Sequence, residues 1–336
     1  MTPPAATAPT LPRSRLGATG PEVFPIALGC MGMSGMYGAA DEAEAIATIH
    51  EAIELGVTML DTGDFYGTGH NERLIGRALA GRRDRVVLSV KFGALRAPGG
   101  GWGGVDARPA AVKNFAAYSL DRLGVDHLDI YRPARLDPAV PIEDTIGAIG
   151  DLVDQGYVRH VGLSEVGPQT IRRAHAVRPI VDVQLEYALV TRGPEARIFP
   201  VLDELGIGAT LYGVLSRGLL TGRRPGVADV RGHLPRFAAA HHDRNQRVVG
   251  ALAEFAADHD LTAAQLAIAW VRAKVPRFVP VIGARTRGQL RDALGALARP
   301  LSAAEVAALE ALVPADAIAG DRYAAPQMAA LDSERG

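Results

Sequence analysis

Val57-Thr-Met-Leu60-Asp61-Thr-Gly-Asp-Phe-Tyr66-Gly-Thr-Gly-His70-Asn71-Glu72 runs from an apolar stretch straight into a polar one. A helical pattern covers Asn71–Ala80, and a second apolar run, Val86-Val-Leu-Ser-Val90, ends on Lys91. Short apolar runs on either side of an amphipathic stretch read as strand, helix, strand. That unit brings three polar groups to strand ends or just beyond: the Asp61 carboxylate, the Tyr66 phenol and the Lys91 amine. A strand ending on lysine buries an ammonium, and a buried ammonium needs a partner. A tyrosine can donate a proton near neutral pH if a nearby ammonium lowers its pKa, and a carboxylate holds that ammonium charged and in place.

The same unit recurs in both directions along the chain. Upstream, Ile26–Cys30 reads as a strand and Glu42–Leu55 as a helix, with Ala45, Ile46, Ile49, Ala52 and Ile53 on one face. Downstream come helix Pro109–Leu123, strand Leu128–Tyr131, helix Ile142–Asp154, strand Val158–Ser164 and helix Pro168–His175. Strand Ile180–Gln184, helix Glu195–Leu205 and strand Gly208–Leu211 follow. Helices Arg247–Ala257 and Thr262–Ala273 precede the last strand, Val279–Ile282, and helix Arg287–Leu297. Eight strands interleaved with helices imply parallel pairing. Their number and spacing match an α/β fold of the closed (β/α)8, or TIM-barrel, kind.

An open doubly wound sheet is the runner-up, but it wants a glycine-rich turn after its first strand. Gly99-Gly-Gly101-Trp-Gly-Gly104 satisfies G-x-G-x-x-G only literally. It follows Pro98, lies well past its strand and opens no helix, so it reads as a flexible loop. Residues 1–12 read as a disordered leader and 13–317 as one barrel domain with an N-terminal hairpin. Residues 302–313 read as an appended helix, and 318–336 as a tail.

The chain has 336 residues, 48% of them hydrophobic, and a formal net charge of −1. Such a balance gives no electrostatic footprint for nucleic acid or an anionic membrane. A single cysteine, Cys30, excludes an intramolecular disulfide and fits a reducing compartment. No apolar run approaches a membrane span, and the expected address is the cytoplasm. No metal-ligand spacing stands out, and nothing speaks to oligomeric state.

Several motifs in order resemble the aldo-keto reductase family, from about Arg15 to about Tyr323. They are Ile26-Ala-Leu-Gly-Cys-Met-Gly-Met-Ser-Gly35, Leu60-Asp-Thr-Gly-Asp-Phe-Tyr-Gly67 with His70-Asn-Glu72, and Val161-Gly-Leu-Ser-Glu165. Gln184-Leu-Glu-Tyr187, Leu215-Ser-Arg-Gly-Leu-Leu-Thr-Gly222 and Ile282-Gly-Ala-Arg285 continue the series. The resemblance implies a TIM barrel, NADPH as hydride donor and reduction of a small-molecule carbonyl without metal. It implies Tyr66 as proton donor, Lys91 as the group that lowers its pKa, and Asp61 as the holder of Lys91. Ser164 and Gln184 would bond the nicotinamide carboxamide, and Tyr212 would stack on its ring. Met31 and Gly32 would face the cofactor from the first loop, and Leu215, Arg217 and Gly218 would lie along the pyrophosphate. Gly283, Arg285 and Gln289 would surround the adenosine end. Arg285, with Arg287 close by, suits a 2′-phosphate and favours NADP over NAD.

Two positions depart from the family pattern. Ala134 stands where the family places a histidine that donates to the substrate carbonyl; Arg132, Arg135, His70, His241 and His242 are candidates to replace it. Ala293 stands where an asparagine near adenine is common. The long segment Leu219–Asn245 is expected to order as a flap over cofactor or substrate. Other readings stay open: a nucleotide-binding barrel acting as a redox sensor or partner protein, and a lyase using Lys91 as a Schiff base. The substrate, among aldehydes and ketones of many kinds, is left open.

Overall fold

Eight parallel strands close on themselves in the computed structural model, which describes residues 13–98, 101–223, 225 and 229–335. They are β1 (Ala27–Gly29), β2 (Met59–Gly63), β3 (Val87–Phe92), β4 (Leu128–Pro133), β5 (Val158–Ser164), β6 (Ile180–Glu186), β7 (Gly208–Tyr212) and β8 (Val279–Gly283). Each pairs with the next in chain order, and β8 pairs with β1. The chain therefore forms the (β/α)8 barrel that the alternation implies.

Both faces of the strands are covered: all of β6 is buried, its Asp182, Gln184 and Glu186 included. Outward-facing side chains pack beneath a ring of helices in one continuous core, to which Ile49, Leu74, Val112, Ile146, Ile171 and Leu266 contribute. Helix starts follow their caps: Asp41 accepts from the Glu44 amide at 2.8 Å ahead of Glu42–Glu54, and Pro109 opens Pro109–Leu123.

Inside the barrel, the side chains fall into two layers. The lower one is apolar: Ala27, Met59, Ile130, Val181, Val279 and Val281, with Leu16 and Val23 beneath them. Leu16 and Val23 come from the N-terminal hairpin Ser14–Arg15/Glu22–Val23, which plugs that end. The upper layer is polar: Asp61, Ser89, Lys91, Arg132, Asp182, Gln184 and Thr210, every one of them buried. Alternate residues of a strand share a face, so Ser89 and Lys91 both project inward from β3, and Asp182 and Gln184 from β6. A Cβ on Gly162 would come within 2.9 Å of Asp182 Oδ1 and 3.3 Å of Arg132 Cζ, so glycine there makes room for that pair.

Three elements differ from the sequence reading. The Gly-rich loop is partly a hairpin: Trp102–Val105 pairs antiparallel with Ala94–Arg96. Gly99 and Gly100 lie outside the described residues, as do residues 1–12 and Gly336. The helix expected over 195–205 is two, Pro194–Arg197 and Phe199–Leu205, because Pro200 lacks the amide that would carry the first helix onward. The helix expected from Arg247 begins at His242, since its polar first turn carries no apolar period. Ala303–Leu312 forms the appended helix, and the chain then returns across the barrel mouth before a last short helix, Ala325–Ala330.

Candidate active site

Register brings the acid and the amine together. Asp61 on β2 lies opposite Ser89 on β3, and Lys91 is two residues further along on the same inward face. Lys91 Nζ donates to Asp61 Oδ2 at 2.6 Å, and both side chains are at least 94% buried, with exposures of 5% and 6%. Asp61 Oδ1 accepts from Gln184 Nε2 at 2.8 Å and from Ser89 Oγ at 3.2 Å. Beneath this pair lies a second one, Arg132 with Asp182 at 2.9 Å, both fully buried. Arg132 also donates to Ser89 and Thr210, which tie the two pairs into one network. Burial pushes the Lys91 pKa below its ordinary value; the Asp61 charge opposes this, and Arg132 adds to it.

Tyr66 is carried back over the mouth by a tight loop. Its amide donates to Gly63 O at 3.0 Å, and its carbonyl accepts from the Asn71 amide at 3.2 Å. Asn71 locks that loop, accepting from Thr62 Oγ1 at 2.6 Å and donating to Cys30 O at 2.8 Å. Lys91 Nζ sits 5.3 Å from the centre of the Tyr66 ring. Sequence reasoning expected the ammonium to lower the phenol pKa. The structure shows the opposite direction: burial first, then the Asp61 charge, hold Tyr66 well above its ordinary value. Among the groups acting on Tyr66, Arg135 is the cation that opposes this rise.

On the far side of the mouth, Ser164 ends β5 and lies opposite Gln184 on β6. The Ser164 hydroxyl is buried and has no hydrogen-bond partner among the described residues. Gln184 Nε2 is already engaged by Asp61 and, at 3.3 Å, by Thr210. Tyr212, at the end of β7, donates to Glu165 Oε1 at 2.8 Å and meets Tyr323 Oη at 3.1 Å. Glu165 has a left-handed backbone, with φ of 54°. That conformation is costly for a residue with a Cβ, and the surrounding bonds hold it there. Its carboxylate accepts from Arg322 at 3.0 and 2.6 Å, from Ser333 at 2.6 Å and from the Glu186 amide at 2.8 Å. Burial alone would raise the Glu165 pKa; Arg322 first, then Arg135 and Ser333, together outweigh it and draw it down to about 2.

The remaining expected cofactor residues line the rim between β1, β7 and β8. Met31 and Gly32 lie in a 3-10 turn after β1, where a Cβ on Gly32 would come within 3.2 Å of Arg285 Cγ. Leu215, Arg217 and Gly218 form the loop after β7, with φ of 56° at Arg217 and 92° at Gly218. The Arg217 guanidinium turns inward, bonding Glu186 at 2.8 Å and Arg322 O at 2.9 Å. Gly283 ends β8, and Gln289 Oε1 accepts from the Arg285 amide at 2.9 Å. Among the described residues, the Arg285 side chain donates to the carbonyls of Tyr37 and Ala39, at 3.1 and 3.3 Å, and to no carboxylate. Arg287 instead pairs with Glu44 at 2.9 Å. Within the long segment, Arg231 reaches across the rim, 4.8 Å from the Tyr37 ring, and bonds Arg217 O at 2.7 Å.

The profile of the Aldo/keto reductase family matches residues 25–314. A protein of Glycine max described as probable aldo-keto reductase 1 is 38% identical over 316 residues, covering 92% of this chain and 91% of that one. The chain belongs to the aldo/keto reductase family. Among solved structures, a glycerol dehydrogenase of Gluconobacter oxydans matches with a TM-score of 0.80 at 25% identity, over 90% of this chain and 96% of that one. The holo form of an aldo-keto reductase of Bacillus halodurans matches with a TM-score of 0.73 at 28% identity, over the same shares, 90% and 96%. Membership makes this chain an oxidoreductase that acts on carbonyl compounds.

Within this aldo/keto reductase, Ala134 is buried and its amide donates to Phe92 O at 2.8 Å, continuing the β4 ladder by one residue. Among the candidates for the missing histidine, Arg132 is committed to Asp182, Thr210 and Ser89. His70 is committed to Ser34 at 2.9 Å and Glu42 at 2.6 Å. Arg135, immediately after Ala134, stands at the mouth. The sequence places Glu165 at a strand end beside Ser164 without giving it a role, and it gives none to Arg322 or Tyr323. Glu165 could have been found from its place directly after Ser164; the tail residues carried no such signal. Ala293 is buried in the core beside Leu290, and the structure assigns it no further part.

Proposed function

We propose that this protein reduces an aldehyde or ketone to the alcohol with NADPH, and that Tyr66 is the proton donor. The observation that carries this reading is the buried Asp61–Lys91 pair set beside Tyr66 at the barrel mouth. Two unfilled groups support a nicotinamide dinucleotide as the cofactor. Ser164 Oγ, buried without a partner, suits the carboxamide, with Gln184 beside it. Arg285, which has no carboxylate partner among the described residues, suits a 2′-phosphate, with Gln289 and Gly283 adjoining. Because Arg287 is held by Glu44, the choice of NADP over NAD rests on Arg285 alone. The Tyr212 ring, fixed through its hydroxyl, is the stacking surface, and Met31, Gly32, Leu215, Arg217 and Gly218 line the pyrophosphate path by backbone and packing. Arg231, reaching over Tyr37, supports a flap over that path formed by the described part of the long segment, 229–245; residues 224 and 226–228 of that segment lie outside the described residues.

When bound, NADPH supplies the hydride. Tyr66 holds the proton: its raised pKa keeps the phenol protonated throughout the physiological range. An alkoxide forming on the carbonyl oxygen is a far stronger base than a phenolate, so the proton still moves from Tyr66 Oη to that oxygen. The phenolate left behind lies beside the Lys91 ammonium, which Asp61 helps to keep charged against burial. The same groups run the reverse oxidation, with the phenolate as base.

The test is NADPH binding, followed by nicotinamide fluorescence, and then turnover across a panel of aldehydes and ketones, followed by loss of absorbance. Binding with turnover is expected. Binding without turnover on any carbonyl would favour a sensor. Trapping of a substrate on Lys91 by borohydride would favour a lyase.

A further inference from the structure

Most cations of the mouth come with matched acids; among the described residues Arg285, on the rim by β8, and Arg135, whose charge acts on Tyr66, do not. Lys91 has Asp61, Arg132 has Asp182, Arg217 has Glu186, Arg322 has Glu165 and Arg231 has Asp229. Arg135 has no carboxylate within ion-pair distance among the described residues. It leaves β4 at the rim, one residue after Ala134 closes its bond to Phe92 O. Its Nη1 donates to Ala134 O at 2.6 Å and its Nη2 to Tyr323 Oη at 3.2 Å. A guanidinium has five N–H donors, and the others have no acceptor among the described residues. The side chain is half-buried, and its charge reaches Tyr66, Lys91, Tyr212 and, beyond ion-pair distance, the Glu165 carboxylate that Arg322 already holds. A partly desolvated cation with unfilled donors is costly to hold. A planar fork of that kind is matched by a carboxylate that binds through both oxygens.

We propose that Arg135 anchors a carboxylate on the substrate, so that the favoured substrates are aldehydes or ketones that also carry an acid group. The inference rests on the reductase reading of this site and adds the substrate class to it. It also gives the position beside Ala134 a purpose other than that of the missing histidine: orienting the substrate by its far end.

The pair 4-formylbenzoate and methyl 4-formylbenzoate offers one aldehyde with and without the charge. With NADPH, the wild-type protein is expected to favour the acid in kcat/KM by about 10–100-fold, the range of charge-assisted hydrogen bonds. Arg135→Gln should collapse that ratio towards one, and Arg135→Lys, which keeps the charge without the fork, should retain part of it. A wild-type ratio of one or less overturns the proposal, as does an Arg135→Gln protein that slows both aldehydes equally and keeps the ratio. A second readout needs no turnover: calorimetric binding of benzoate to the protein loaded with NADP+. Binding by wild type, weakened at least about tenfold in Arg135→Gln, supports the anchor even if no aldehyde is reduced, and that failure would count against the reductase reading alone. Reduction of both aldehydes without preference would count against the anchor alone.

Discussion

Replacing Asp61 by asparagine removes one charge from an almost wholly buried pair and leaves the other in place. The separation is 2.6 Å, with side-chain exposures of 5% for Lys91 and 6% for Asp61. Truncating one partner of such a pair typically costs ~3–5 kcal/mol, because the remaining charge is left desolvated and unpaired. Lys91 can escape that cost by giving up its proton. Burial already holds the Lys91 pKa below its ordinary value against the pull of Asp61, and removing the Asp61 charge lets it fall further. A neutral Lys91 no longer stabilises the Tyr66 phenolate, and the expected loss in kcat/KM is about 100–1,000-fold at neutral pH, the effect of removing one preorganised electrostatic group. The lysines of this chain are Lys91, Lys113 and Lys274, few enough to follow individually by carbon NMR of the side chain beside the nitrogen. Lys113 and Lys274 are 46% and 31% exposed and serve as internal references. If Lys91 in Asp61→Asn stays protonated well above neutral pH, or if activity is unchanged, the electrostatic reasoning is wrong.

Asp64 gives a test of pH-dependent stability. Burial raises its pKa from 3.8 to about 7, and its Oδ1 has no partner. The folded state therefore holds this proton more tightly than the unfolded chain, and its contribution makes stability fall as pH rises between those two values. At ~1.4 kcal/mol per unit the loss is at most ~4 kcal/mol, so Asp64→Asn should raise Tm above neutral pH and flatten its slope below. Glu165 carries the opposite sign: its folded pKa, drawn from 4.5 to about 2, gives stability that is present above 4.5 and lost as pH falls towards 2. Arg322→Met should abolish that contribution and cost ~3–5 kcal/mol in denaturant unfolding at neutral pH; a cost below ~1 kcal/mol would mean that the tail does not hold Glu165 in solution. Ser164→Ala should weaken NADPH binding by ~0.5–1.5 kcal/mol, read by nicotinamide fluorescence, and unchanged affinity would remove Ser164 from the cofactor site.

Much of this was legible in the chain itself, for local reasons. Strands such as Val86–Val90 and Val279–Ile282 showed themselves as short runs rich in Val, Ile and Leu between amphipathic stretches. Asp61, Tyr66 and Lys91 showed themselves because a polar group that ends an apolar run is conspicuous. What escaped the reading depends on partners distant in sequence. The bonds of Arg322 to Glu165 span 157 residues, and those of Arg287 to Glu44 span 243. No periodicity links such positions, so a tail that completes the mouth looked like a tail, and an arginine held by an acid looked free for phosphate. The inward turn of Arg217 depends likewise on Glu186, and the hairpin at Trp102–Val105 on a neighbouring strand. The sign of the Tyr66 shift required the depth of its burial, which only the folded chain supplies.

A single-turnover experiment addresses the proton donor most directly: NADPH oxidation by a reducible carbonyl, with wild type and Tyr66→Phe in excess over substrate, and NADPH affinity measured on the same preparations. The account predicts that Tyr66→Phe binds NADPH as wild type does and oxidises it at least about 100-fold more slowly. Oxidation at the wild-type rate by that variant would contradict it.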